Sequence, residues 1–425
     1  MKKILALALA AAMSLSLAAC GSGDKSNGKD SSASNPGSAS NPGSSVSTPE
    51  DNKPSLKVGA IYINSQNDTS GYTFQHHNGI TTAMKALGMD PAELIIVDGV
   101  PDGDDTAVAT AIDTVVNQGA DIVFGISFGY LNAMEQKAAD YPDVIFSHGT
   151  GYKSNDTNFN NYFGRIYQAR YLAGIAAGMK TLELENNNIG YVAAYNLDYA
   201  ETCSGINAFA LGAQSVNPDA VVHVNVINAW GDETLERQAA QALIDTYGCC
   251  VISQHCDSAQ PQLVAQENGV FGCGYNSDMT EQAPNGHLTA AVWHWNVYYQ
   301  TALEAAIACN GDATKFVENM NGPAYYAGLK ENFVDVSPLS SNCAPNTQAV
   351  IDAVRELIVS GEWDVFSGVK LSYNISEDGK VEIVRTDADL VDNQGNVIVA
   401  AGGPSVEDSV ITGGMDYNVA GVEEG

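Results

Sequence analysis

Thr106-Ala107-Val108-Ala109-Thr110-Ala111-Ile112-Asp113-Thr114-Val115-Val116-Asn117-Gln118-Gly119-Ala120-Asp121-Ile122-Val123-Phe124-Gly125-Ile126 decides the fold class. Residues 106–118 read as an amphipathic helix that stops at Gly119. Residues 121–126 are a short β-branched and aromatic run, which reads as a strand. The same pair recurs in both directions along the chain. Upstream, 57–63 is a strand, 74–87 a helix ending at Gly88 and 94–97 a strand. Downstream, 130–139 is a helix, and the strand 144–148 closes a first series. A second series begins with a helix over 167–180. Strands follow at 189–194, 221–226, 249–253 and 270–273, with helices at 203–216, 235–247 and 261–268 between them. Strand–helix alternation means parallel sheets covered by helices. Two successive series predict an α/β chain of two doubly wound lobes joined by a hinge. Later segments (a strand at 288–293, helices at 298–309 and 347–360) shuttle between the lobes. A β-rich tail (370–374, 381–385, 397–400) adds strands to the second lobe. The expected boundaries are 56–160 with 289–334 for the first lobe, and 161–288 with 335–425 for the second.

The first 55 residues are of another kind. Lys2 and Lys3 precede a small-residue and apolar run over 4–17, and then Leu17-Ala18-Ala19-Cys20-Gly21. That order marks a secretory signal, and the run is too short to span a bilayer. The last five residues resemble the lipobox of bacterial lipoproteins. The resemblance implies that residues 1–19 are removed and that Cys20 carries lipid. Several acyl chains would anchor the protein stably, at about 0.8 kcal/mol per buried methylene. Residues 21–55 are nearly all Gly, Ser, Asn, Asp, Lys and Pro, with no apolar periodicity. Such a segment cannot bury enough surface to fold and reads as a tether. The expected location is the outer face of a bacterial cell membrane.

The formal charge of −31 argues against nucleic acid as a partner and against docking on anionic lipid heads. With Cys20 assigned to lipid, Cys203, Cys249, Cys250, Cys256, Cys273, Cys309 and Cys343 remain. An odd number cannot all pair within one chain. One disulfide fits that count, with no pair preferred. Cys249-Cys250 is not a C-x-x-C spacing. The seven His show no H-E-x-x-H or similar metal spacing, and no Walker lysine motif or complete dinucleotide fingerprint occurs. The sequence therefore gives no metal and no cofactor, and ATP hydrolysis would belong to a partner.

In open parallel sheets, ligands bind beyond the carboxyl ends of the strands. The strand-to-helix loops there hold Asp68, Tyr72, Phe128, Tyr195, Trp230, His255, Asp257 and Asp278. Aromatic faces and carboxylates together suit a flat, donor-rich ligand, through stacking and charge-assisted hydrogen bonds. The candidate contacts are Tyr72, Phe74, His76, Ser127, Phe128, Tyr195, Trp230, Asp257 and Asp278. Trp293 and Trp295 read as core or hinge.

Several segments in order carry a family resemblance: Ser70-Gly71-Tyr72-Thr73-Phe74-Gln75-His76, Ser127-Phe128-Gly129-Tyr130, Asn228-Ala229-Trp230, Gln254-His255-Cys256-Asp257-Ser258, Gly274-Tyr275-Asn276-Ser277-Asp278-Met279 and Gly414-Met415-Asp416-Tyr417. Together they resemble the basic membrane protein family of substrate-binding lipoproteins of ABC transporters. The resemblance implies the type I periplasmic-binding fold, a purine nucleoside, purine base or riboflavin as ligand, and an ABC permease with its ATPase as partner. It implies that Tyr72 and Trp230 stack on the ligand ring from opposite lobes. It also implies that the loops around Phe128, Asp257 and Asp278 add contacts. The Asp-Lys pattern of nucleoside-binding members reads Asn276-Ser277-Asp278 here. The Gln-His-x-Asp-Ser and Asn-x-Trp forms look more like a base-binding branch.

Two alternatives accompany this reading. A sensor of the same fold would present its ligand to a receptor. A serine hydrolase would use Gly125-Ile126-Ser127-Phe128-Gly129, a G-x-S-x-G match between a strand and a helix, with Asp257 and His287 following in triad order. The second strand–helix series has no place in a single hydrolase sheet, and an anchor with a tether fits capture better than turnover.

Overall fold

A computed structural model describes residues 55–376 and 378–424. The expected leader, the lipidated Cys20 and nearly all of the tether lie outside the described residues. The first series is β1 (Val58–Ile61), α1 (Gly71–Ala86), β2 (Ile95–Val97), α2 (Asp105–Asn117), β3 (Ile122–Gly125), α3 (Leu131–Asp140), β4 (Ile145–Gly149) and β5 (Phe159–Gly164). α4 (Ile166–Glu183) opens the second: β6 (Asn188–Ala193), α5 (Ala200–Val216), β7 (Val221–Val226), α6 (Glu233–Tyr247), β8 (Val251–His255), α7 (Gln260–Glu267), β9 (Phe271–Asn276) and β10 (His287–Trp293). The chain then returns through α8 (Trp295–Ala308), α9 (Phe316–Asn319) and β11 (Ala324–Ala327), and crosses again to β12 (Val334–Val336) and α10 (Thr347–Ser360). The tail holds β13 (Val369–Ile375), β14 (Val381–Asp387), β15 (Leu390–Val391), β16 (Val397–Val399), α11 (Asp408–Gly413) and β17 (Val422–Glu424).

Two sheets result. The first runs β11-β5-β4-β3-β1-β2 and is parallel throughout. The second runs β12-β10-β9-β8-β6-β7-β17, parallel except for β12. The inner strands β1, β3, β4, β8 and β10 are buried on both faces, as parallel sheets under helices require. Most elements were legible, but the sheet boundaries differ from the expectation. The expected boundary between residues 160 and 161 falls inside β5, a strand the sequence did not suggest, which belongs to the first sheet beside β4. The strand's buried Asn160 and Asn161 hide it from a search for apolar runs. β10, expected in the first lobe, pairs with β9, Ala290 opposite Gly274. The chain leaves the second sheet only after Trp293. Of the tail strands, only β17 extends the second sheet, beside β7. β13–β14 and β15–β16 are separate hairpins.

The three crossings between the sheets are tied together. Arg165, between β5 and α4, donates its N–H to the Ala327 carbonyl at 2.8 Å. His294, between β10 and α8, donates its N–H to the Phe333 carbonyl at 2.8 Å. Aromatic rings fill the space around them. Trp293 stacks on Trp295 with centroids 4.4 Å apart, Phe163 lies 5.0 Å from Trp293, and Phe333 contacts both tryptophans. Trp293 and Trp295 therefore sit in the core at a crossing.

Helix α4 is buried on all faces, which accounts for its weak amphipathic pattern. It lies close against α5 because glycines remove side chains at the contact. A Cβ on Gly174 would overlap the Phe209 carbonyl, one on Gly178 the Ala213 carbonyl, and one on Gly212 the Tyr171 carbonyl. The seven cysteines in the described residues are free and none forms a disulfide; six are buried and Cys343 is half-buried. Burial pushes the thiols of Cys203 and Cys249 up to about 12, which makes them inert apolar filler. Among the described residues no helix is long and apolar enough to cross a membrane.

Gly212→Ala is expected to lower stability by about 1–3 kcal/mol, the usual cost of overpacking a close contact. Urea unfolding followed by circular dichroism measures it. An unchanged midpoint would mean that the α4–α5 contact is not tight.

Candidate functional site

In both sheets the second strand lies outside the first, and the third lies on the other side of it. The loops after the first and third strands therefore diverge and leave a crevice at the carboxyl edge. Those loops line one cleft of about 1030 Å³. Tyr72 comes from the loop side of β1, Ser127 and Phe128 follow β3, Tyr199 and Glu201 follow β6, and Asp257 follows β8. Trp230, after β7, and Tyr275, near the end of β9, complete the wall of the second sheet.

The aromatic side chains are held at their bases. The Tyr72 hydroxyl donates to the Ile126 carbonyl, and the ring meets His76 and Trp295 edge-on. Trp230 meets Tyr195 and Tyr199 at steep angles, with centroids 5.1 and 5.7 Å away. The Asp257 N–H donates to the Trp230 carbonyl at 2.8 Å, which ties the loop after β7 to the loop after β8. Buried Glu236 braces them further. It accepts from the Ser258 hydroxyl at 2.5 Å and from the Asp232 N–H at 3.2 Å.

Three carboxylates face the cleft: Asp198, Glu201 and Asp257. No Lys or Arg does among the described residues. Burial, with the Glu236 charge beside it, pushes the Asp257 carboxyl well above the usual carboxylate range, although the Asn276 amide donates to it at 3.3 Å. Burial also pushes Glu201 up, but His255 and Arg170 outweigh it and hold this carboxyl below its ordinary value. His255 Nε2 lies 2.9 Å from Glu201 Oε1. The Arg170 guanidinium covers the Tyr275 ring at 3.7 Å and donates to the Gln254 carbonyl at 2.5 Å.

The sheets touch at one side of the cleft. Gly71, the first residue of α1, donates its N–H to Ser277 Oγ at 3.2 Å. Its φ is +84°, and a Cβ there would overlap the Asp257 carbonyl oxygen. Both the left-handed backbone and the close approach require glycine.

Of the residues singled out in the sequence, Tyr72, Ser127, Phe128, Trp230 and Asp257 line the cleft. Tyr195 stands behind them, stacked on Tyr199 with centroids 4.3 Å apart. His76 is in the core, stacked on Trp295 at 4.0 Å with Nδ1 2.6 Å from the Tyr299 hydroxyl. It lies on the inward face of α1, so it packs rather than reaching the cleft. Phe74, half-buried on the same helix, does not line the cleft either. Asp278 caps a turn through Thr280 and lies 3.5 Å from His287, away from the lining. The sequence reading missed Tyr199, Glu201 and Tyr275. Their loops were identified, but a tyrosine beside a strand end and a glutamate in a first helical turn carry no distinctive signal.

Ser127 donates its hydroxyl to Asp102 at 2.6 Å, and His148 reaches only its carbonyl, at 2.7 Å. His287 faces Asp278. Ser127, Asp257 and His287 therefore form no nucleophile–base pair. Among the described residues no group of three or more His, Cys, Asp or Glu could hold a metal ion.

Residues 56–367 match the family described as ABC transporter substrate-binding protein PnrA-like. The chain belongs to this family. A purine-binding protein of Brucella abortus is 36% identical over 313 residues, 74% of this chain and 83% of that protein. A Haloferax volcanii protein named as an ABC transporter glucose-binding protein is 39% identical over 248 residues, 58% of this chain and 59% of that protein. Among solved structures, an ABC transporter solute-binding protein from Aeropyrum pernix K1 superposes with a TM-score of 0.60 at 15% identity, covering 77% of this chain and all of that one. A transcriptional activator of the comK gene from Bacillus halodurans superposes with a TM-score of 0.57 at 18% identity, covering 72% of this chain and 98% of that one. The fold is that of periplasmic-type solute-binding proteins, and family members of this kind bind small molecules for ABC permeases.

The Asp257 carboxyl holds its proton more tightly in the folded than in the unfolded protein. Its contribution to stability is therefore lost as the pH rises above the ordinary carboxylate range. Asp257→Asn is expected to raise the melting temperature of the ligand-free protein at pH 7 and to leave it nearly unchanged at pH 4. Scanning calorimetry at both values is the check, and a lower melting temperature at pH 7 would contradict the assignment.

Proposed function

We propose that the chain captures a purine base or nucleoside in the cleft and delivers it to an ABC permease. The carrying observation is the pairing of Tyr72, from the first sheet, and Trp230, from the second, around a cleft whose polar groups include the half-buried Asp257 carboxyl. Two aromatic faces take a flat ring between them, and a carboxyl matches ring N–H donors. The kinship with the purine-binding protein of Brucella abortus supports the same ligand class. The protein makes and breaks no bond; binding favours the form in which the sheets close on the ligand, and the permease reads that form. Phe128 adds to the rim and Ser127 to the floor. Cys20 is the lipid attachment point, and the segment after it tethers the body to the outer face of the membrane. The kinship with the glucose-binding protein of Haloferax volcanii favours a second reading, in which a sugar occupies the same cleft.

A thermal-shift screen with adenine, guanine, hypoxanthine, their nucleosides, riboflavin and glucose separates these readings, since a ligand of the folded state raises the melting temperature. A purine is expected to give the shift. Trp230→Ala is expected to weaken its binding by about fivefold or more, as the loss of about 1–3 kcal/mol of stacking predicts. A shift with glucose alone would replace the purine reading with the sugar one.

A further inference from the structure

The cleft is longer than its aromatic end. Along the carboxyl edge of the first sheet it runs from Ile63, after β1, to Tyr325 and Tyr326 on β11. With β3, β4 and β5 between them, the ends are four strand spacings apart, about 19 Å at ~4.8 Å each. A bicyclic ring held by Tyr72 and Trp230 covers only part of that distance. The far end has different chemistry. Its wall includes Ser409, Thr412 and Gly413 of α11, which lie beyond the residues that match the family.

This wall is fastened in place. Asp408 pairs with Arg165 at the first crossing, with Nη2–Oδ2 at 2.6 Å and Nε 3.2 Å from both oxygens. The same guanidinium lies 4.8 Å from the centre of the Tyr326 ring. Ile411 is buried and anchors α11 from beneath. The polar groups at this end are only partly used within the protein. Thr412 donates its hydroxyl to the Asp408 carbonyl at 2.8 Å and keeps its oxygen as an acceptor. The Tyr326 hydroxyl is buried without a hydrogen-bond partner among the described residues. Buried hydroxyls normally find partners, so this end is poised for hydroxyl groups from outside the protein. With carboxylates and no cation in the lining, a phosphate would be repelled.

We propose that α11 makes the specificity subsite of the cleft, in which Ser409 and Thr412 select a neutral, polyhydroxylated appendage on the ligand ring, such as a sugar or sugar alcohol. Asp408 is a positioning residue that holds α11 through Arg165. The proposal rests on the cleft being the ligand site.

Calorimetric titration with two matched pairs, adenosine against adenine and riboflavin against lumiflavin, tests it. Each pair shares a ring system and differs in the hydroxylated appendage. The expected result is that, in at least one pair, the hydroxylated member binds at least tenfold more tightly. Thr412→Val or Ser409→Ala should then weaken that member about fivefold and leave its bare ring unchanged. Asp408→Asn should do the same, and adenosine 5′-monophosphate should not compete. The proposal is overturned if neither pair shows a preference, or if the variants weaken ring and appendage-bearing ligand alike. Failure of the purine reading is seen separately, as no binding of either adenosine or adenine while the flavin pair still reports on the subsite.

Discussion

A parallel strand cannot turn back on itself; its chain must cross over the sheet before the next strand begins. In this protein that constraint sends every strand of a series out at the same edge, so the loops with freedom to vary collect there. Two such sheets, joined by three short crossings, bring two loop-bearing edges together. The cleft, its aromatic walls and its carboxylates follow from that direction rule, and side chains elsewhere mainly keep the sheets and crossings in place. The α4–α5 glycine contact and the tryptophan stack at the crossings serve the same end, because loosening either would misalign the edges.

The alternation of strand and helix was plain in the sequence because buried parallel strands are short apolar runs and their covering helices are one-sided. What escaped the sequence has identifiable causes. β5 carries two asparagines in its buried stretch, and the short β11 and β12 have no run long enough to read. The boundary at β10 was misplaced because pairing partners are a tertiary fact. Trp230, Tyr72 and Asp257 were found because aromatic and acidic residues in a strand-to-helix loop are conspicuous. His76 attracted notice for its type alone, and one helical turn carried it to the inward face. Glu201 gave no signal, since a glutamate in the first turn of a helix is ordinary until a buried histidine and arginine are set against it.

The cleft keeps its two key carboxyls in opposite conditions. Glu201 is stabilised as an anion by His255 and by Arg170, which is itself buried against Tyr275. Asp257 has only an asparagine amide, and Glu236 lies behind it. Burial and the neighbouring Glu236 charge favour the protonated form of Asp257, whereas His255 and Arg170 favour the anion of Glu201. The fold is shared with a transcriptional activator at low identity, so the scaffold by itself does not assign the task. The contents of the cleft do.

Gly71 gives the cleft a fixed gauge. Its bare Cα rests on the Asp257 carbonyl and its N–H on Ser277, so the two sheets can come no nearer at that point. Like the stop on a calliper, this contact sets the narrowest jaw opening. It makes the minimum opening of the cleft a property of the backbone, set by one residue without a side chain rather than by the walls that face the ligand.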